Sequence, residues 1–290
     1  MSFISIRGVH PPRIVVSIAL IAWLLVGAVA HAASSPDAGK VNRLIDAAGI
    51  GHSLRQVLPG MVSGFDDPGQ DIPANVRSAL REAAGQAFRP DPMIERVRAR
   101  LGVALTARQL DDTLAWLDSP LGRRITAMEN EAAEPAVLAP MQSYARELER
   151  RPPGKRRAEL IGELNLATGA SEFNAVMMEA AVLATALGMN AAQPVQQQVP
   201  ADVLRQTVKS SLPDLRKQTE QVVTLALHYT YRSLSDPELE SYLKFLKSPS
   251  GAAYSKAAIA GFTDAMLEAN GRFMQAIPKA IAKYKGLSGT

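Results

Sequence analysis

The chain has 290 residues, is 47% hydrophobic and 21% charged, and contains no cysteine. That is material for one large or two small globular domains, and it excludes disulfides, a thiol nucleophile, Cys-ligated metal and a lipidated cysteine. The formal charge of +4 includes Arg7 and Arg13 and is +2 without them, too small for long-range attraction to polyanions, so nucleic acid is not an expected partner.

Residues 1–32 read as a secretory signal. Arg7, His10 and Arg13 make a positive start, Ile14 to Ala30 is an apolar run, and Ala30-His31-Ala32 places small residues at the two positions a signal peptidase inspects. Cleavage is expected after Ala32, with the product periplasmic or secreted. An uncleaved anchor is the alternative, for which the run is short and lacks a stop-transfer flank.

From there the pattern is helical, with alanine and leucine abundant and no period-two strand signal. Helices are predicted over 40–49, 52–65, 74–88, 91–101, 107–117 and 120–148. The run Glu149–Arg157 (ERRPPGKRR) breaks the series with two prolines and a glycine. Further helices are predicted over 163–169, 171–187, 201–211, 213–232, 236–246 and 249–285. The order of elements repeats, since Glu163–Gly169 echoes Arg43–Gly49. The expected fold is therefore all-α, a helical bundle of two related halves, 33–149 and 158–290, with 150–157 as a basic linker.

The strongest repeat aligns 105–122 with 234–251 at an offset of 129. Seven of eighteen positions are identical, ending in LDSPLG and LKSPSG. Each identity has a structural role. Thr106 with Gln109 and Ser235 with Glu238 fit a capping box, and Leu105–Leu110 and Leu234–Leu239 fit the accompanying hydrophobic staple. Leu110, Leu114 and Leu117 share a helix face, as do Leu239, Leu243 and Leu246, with Trp116 and Phe245 widening it. Ser119 and Ser248 are placed as N-caps, Pro120 and Pro249 at the first helical position, and Gly122 and Gly251 where helices approach closely. The neighbouring charges change sign between copies: Asp118 becomes Lys247. The segment reads as a structural joint rather than a duplicated active site.

These residues resemble the secreted bacterial domain of unknown function 2059 family. The resemblance rests on a helix that opens [ST]-x-x-[EQ]-L and ends in an aromatic residue before S-P-x-G, and on the opening helices around Gly49 and Gly169. Phe245 fits the family's first aromatic, Trp116 replaces it, and Leu117 and Leu246 depart at the second. Arg123 fits the basic residue after the glycine and Ala252 does not, yet the second copy is the nearer overall. The resemblance implies a helical exported protein in two copies and assigns no reaction.

No catalytic or cofactor-binding motif emerges. Only His52 and His228 follow the signal, in different halves and without metal-ligand spacing. Ser241-x-x-Lys244 matches one element of penicillin-binding enzymes without its companions. Asp66, Asp67 and Asp71 could gather around calcium, but their spacing is not that of an EF-hand, and solvated turn residues are the simpler reading. The basic linker, with Arg150, Arg151, Lys155, Arg156 and Arg157, could touch an anionic surface weakly, or simply be solvated. His228, Tyr229, Tyr231 and Arg232 crowd before the second joint as a polar corner or the mouth of a small pocket. The leading expectation is a non-enzymatic module binding a protein or small-molecule ligand in the cell envelope, without a cofactor. A lipid- or glycan-contacting envelope protein and an enzyme of unrecognised type are the alternatives.

Overall fold

The computed structural model describes residues 37–66, 73–191 and 195–287. The expected signal, and Asp67 and Asp71 of the acidic loop, lie outside the described residues. Every regular element among the described residues is helical. The first set is α1 (Ala38–Ala47), α2 (Ile50–Phe65), α3 (Ala74–Ala87), α4 (Pro90–Ala104), α5 (Ala107–Leu117), α6 (Pro120–Ala132) and α7 (Leu138–Arg150). The second is α8 (Lys155–Thr168), α9 (Ala170–Ala191), α10 (Ala201–Thr230), α11 (Asp236–Leu246) and α12 (Pro249–Leu287).

Three local features recur in both sets. Gly49 (φ 66°) and Gly169 (φ 46°) each turn the chain through the left-handed region between the opening helices, α1 into α2 and α8 into α9. Thr106 and Gln109 close a reciprocal capping box on α5, at 2.9 and 3.2 Å. On α11 the backbone N–H and hydroxyl of Ser235 both donate to the Glu238 carboxylate, at 2.7 and 2.8 Å. The joints themselves match: the Gly122 N–H donates to Ser119 Oγ at 3.0 Å, and the Gly251 N–H to Ser248 Oγ at 3.1 Å. The glycines are needed for a closer reason than helix–helix approach. A Cβ on Gly122 would stand 2.1 Å from the Trp116 carbonyl oxygen, and one on Gly251 2.0 Å from that of Phe245. The joint is so tight that the second helix starts against the last turn of the first.

The sign reversal of the flanking charges also has a structural reason. Arg43 on α1 pairs with Asp118 at the end of α5. At the corresponding place Glu163 on α8 pairs with Lys247 at the end of α11, at 2.6 Å. Both partners have exchanged sign, so the contact between opening helix and joint survives.

The helices that follow the joints cross over. α12 leaves the second joint and packs on α3, α4 and α5. Its Ala257, Ala258, Phe262, Ala265 and Ala269 complete a core whose other members include Leu44, Ile50, Leu54, Phe88, Val97, Leu101 and Leu110. α6 leaves the first joint and supplies Ile125 to a core built from α8, α10 and α11, including Leu160, Ile161, Leu164, Leu227, Leu239 and Leu243. Each half's core is thus closed by a helix from the other. Trp116 and Phe245, which occupy equivalent positions, stack face to face at 4.8 Å with their planes 8° apart. Contact between equivalent residues places this stack on the local pseudo-two-fold axis. Cross-half pairs such as Arg100 Nη2–Asp264 Oδ2 (2.6 Å) and Arg124 Nη1–Glu238 Oε1 (2.6 Å) lie at the surface, where such pairs contribute little; the shared apolar core carries the association.

Several boundaries differ from the sequence expectation. The helix predicted over 120–148 breaks at Ala132, because Pro135 has no N–H and its ring clashes with the preceding turn. A short 3-10 turn (Pro135–Val137) then redirects the chain into α7. Pro213, by contrast, sits inside the unbroken α10. In the turns before it the Thr207, Ser210 and Ser211 hydroxyls donate to the Val203, Thr207 and Val208 carbonyls, at 2.7–2.9 Å. The basic run is a shorter connection than its composition suggests, with only 151–154 between helices. Arg156 bonds Glu240 at 2.5 Å, and Arg157 donates to the Leu234 and Tyr231 carbonyls, both at 2.7 Å, and to Asp236 at 3.0 Å. Arg156 and Arg157 are therefore committed to internal partners, and Lys155 pairs with Glu159 at 3.9 Å on the same helix.

Candidate functional site

The polar corner before the second joint divides into two environments. His228 is buried (6% exposed), and that burial, aided by the Arg157 guanidinium, pushes its pKa down, so it is neutral at pH 7. Tyr229 packs edge-on to Tyr144 at 5.7 Å. Arg232 lies 4.0 Å over the Tyr229 ring and also donates to the Tyr229 carbonyl (2.7 Å) and to Glu131 (3.2 Å). Around His228 the facing surfaces of α7 and α10 leave an open groove of about 390 Å³, lined by Leu148, Glu220, Gln221, Thr224, Leu225 and His228.

Tyr231 points the other way, into the molecule, and is fully buried. Its hydroxyl donates to Glu129 Oε1 at 2.7 Å, and the Tyr242 hydroxyl donates to the same oxygen at 2.9 Å. Glu129 comes from α6 of the first half, Tyr231 from the end of α10 and Tyr242 from α11, so the carboxyl sits where α6 crosses into the second core. Burial pushes it up to about 7, although the two phenol hydrogen bonds favour its charged form. Desolvation, together with the nearby carboxylate, pushes the Tyr231 and Tyr242 phenols well above their usual range, and Tyr254 up as well. A cavity of about 50 Å³ adjoins this cluster. Trp116 and Phe245, Thr126 and Ser255, and Leu117 and Leu246 line it as equivalent pairs across the pseudo-axis. The position equivalent to Glu129 is Ala258, so the axis holds a single carboxylate.

Sequence reasoning singled out Tyr231 but missed Glu129. The signal was there: Glu129 is one turn beyond Ile125 on the core-facing stripe of α6, where a carboxylate is out of place. Three other sequence candidates lie apart from both sites. Ser241 on the outer face of α11 donates to the Pro237 carbonyl at 2.9 Å, with Lys244 exposed beside it. Asp66 pairs with Arg81. His52 lies 2.9 Å from Glu134. Among the described residues no three His, Asp or Glu side chains gather as a metal set.

Residues 91–150 match the model of a family described as "Uncharacterized protein conserved in bacteria (DUF2059)". The match runs from α4 through the first joint to the end of α7 and includes Glu129; it is a single match and does not reach the second joint. No curated protein and no solved structure matches the chain.

Proposed function

Given that this chain carries a DUF2059-like domain over residues 91–150, we propose that it is an exported, non-enzymatic binding module whose ligand surface is the groove between α7 and α10. The groove is the observation that carries the reading. Its size is within the range of ligand clefts, and it combines apolar side chains (Leu148, Leu225) with a few polar ones (Glu220, Gln221, Thr224 and a neutral His228). Its walls come from opposite halves, so the crossing helices fix its width. The leader pattern of residues 7–32 supports export, and no described helix is long and apolar enough to cross a membrane.

One observation favours an enzyme: a carboxyl titrating near neutrality beside phenols is a common feature of acid–base sites. Against it, a cavity of about 50 Å³ admits waters rather than an organic substrate. The repeated serines, too, are engaged as caps.

The test is a photo-crosslinking residue at Gln221 in cells exporting the protein, with and without Leu225→Trp, which fills the groove. Discrete adducts that disappear with Leu225→Trp are expected. Adducts unaffected by Leu225→Trp, or no more abundant than those from the remote exposed position Val103, would contradict the groove reading. Mass spectrometry of the mature N-terminus tests export, with Ala33 expected as the first residue.

A further inference from the structure

We propose that Glu129 is a proton-operated latch: protonated, it holds α6 against the second half, and ionised, it releases α6 and with it the α7 wall of the groove. The latch stands on the geometry of the crossing; its consequence for ligand binding rests on the groove reading above.

Glu129 is the polar tie where α6 enters the second core. Two phenols from that core converge on one of its oxygens, at 2.7 and 2.9 Å. The groups facing it from each packed element are neutral at pH 7. They are Tyr231 from the end of α10, Tyr242 and Phe245 from α11, Tyr254 and Ser255 from α12, Trp116 from α5, Thr168 from α8, and Thr126 on α6 itself. No lysine or arginine lines the cavity. The nearby cations of this region are engaged elsewhere, Arg124 with Glu238 and the Ser233 carbonyl, Arg232 with Glu131 and the Tyr229 carbonyl. A proton lost from Glu129 therefore leaves a charge with two phenol donors and no counter-ion. The side chain is only partly exposed, so the remaining solvation must come from the little water that reaches its edge and from the cavity of about 50 Å³ beside the carboxyl, which has room for only a few molecules. Moving α6 outward admits more. Burial places the titration at about pH 7, within the range an exported protein meets.

The motion has a path to the groove. α6 runs through the Pro135–Val137 turn directly into α7. Glu134 in that turn is held to α2 by Gln56 at 3.1 Å and lies 2.9 Å from His52. The turn is thus a pivot, with the Glu129 tie on one side and Leu148 of the groove on the other.

The chain has no cysteine, so spin labels attach cleanly at Gln142→Cys on α7 and Lys217→Cys on α10, both exposed. Pulsed electron paramagnetic resonance then reads the α7–α10 distance without any ligand. In the otherwise wild-type chain, one narrow distribution at pH 5.5 should broaden or shift by pH 8.5, with a midpoint near 7. In Glu129→Gln, a neutral side chain of the same shape, the acid distribution should persist throughout. In Tyr242→Phe, loss of a bond that favours the ionised form should raise the midpoint. A distribution independent of pH in the parent overturns the latch. So does an unaltered transition in Glu129→Gln, or an unmoved midpoint in Tyr242→Phe. Because no ligand enters the measurement, its failure is separate from failure of the groove reading, which the crosslinking decides.

Discussion

Replacing Gly251 by alanine tests the joint at its tightest point. The new Cβ would stand 2.0 Å from the Phe245 carbonyl oxygen, 2.8 Å from that carbonyl carbon and 3.1 Å from Leu246 Cα. All three are backbone atoms at the end of α11, so no side chain can swing away. Carbon–oxygen contacts settle at about 3.3 Å or more, so the joint must open by roughly 1.3 Å. That displacement strains the Ser248 cap and moves the start of α12, whose length is packed against α3 and α4. Overpacking of this kind costs about 1–3 kcal/mol, and weakening a cap about 1 kcal/mol, so a loss of about 2–4 kcal/mol is expected. Urea denaturation followed by circular dichroism measures it, with Gly122→Ala as the matched variant at the other joint. A Gly251→Ala chain within about 0.5 kcal/mol of wild type, the range of ordinary surface substitutions, would refute the close-contact argument.

Leu243→Ala should cost about 2–5 kcal/mol, since Leu243 is buried in the second core; an unchanged melt would mean that the core-facing side of α11 is misassigned. Ser248→Ala should cost about 1 kcal/mol and leave groove crosslinking intact, whereas Pro249→Ala should do little because its missing N–H lies at the first helical position. Loss of crosslinking in a stably folded Ser248→Ala protein would make the joint a functional site instead. Stability should also depend on Glu129: its folded pKa of about 7 lies above the ordinary 4.5. The native state therefore binds the proton more tightly than the unfolded chain, and this contribution is complete below about pH 4.5 and lost as pH rises through 7. At about 1.4 kcal/mol per pH unit the difference is about 2–3 kcal/mol, after allowance for partial exposure of the side chain. Chemical denaturation of Glu129→Gln and wild type from pH 5 to 8.5 should show this slope in wild type alone, and parallel curves would count against a raised Glu129.

Much of the architecture was legible because its signals are local. Capping residues and leucine spacing place α5 and α11 from sequence, the N1 prolines mark the starts of α6 and α12, and the glycines after α1 and α8 mark the opening turns. The reversed charges at Asp118 and Lys247 were visible too, but without Arg43 and Glu163 across from them they read only as loss of a shared surface. The crossing of α6 and α12 was not legible. Both helices carry an apolar stripe, and periodicity reports that a face is buried without saying against which half. The break at Pro135 and the continuity through Pro213 show the same limit, since composition alone does not separate a proline that ends a helix from one that a continuous helix accommodates. Of the sites, Tyr231 was within reach as part of a polar cluster, while its partner Glu129 lies 102 residues away in sequence. The groove depends on the separation of α7 and α10, which no local pattern encodes.

The central structural claim is that each core is completed by a helix from the other half. It is tested most directly by inserting a specific protease site between Pro153 and Gly154, in the short exposed connection, and cutting the folded protein there. Exchanged helices predict that the two fragments, each still holding part of the other's core, co-elute as one species of native size and helicity and separate only in denaturant. Fragments that part under native conditions as two independently folded halves would contradict the account.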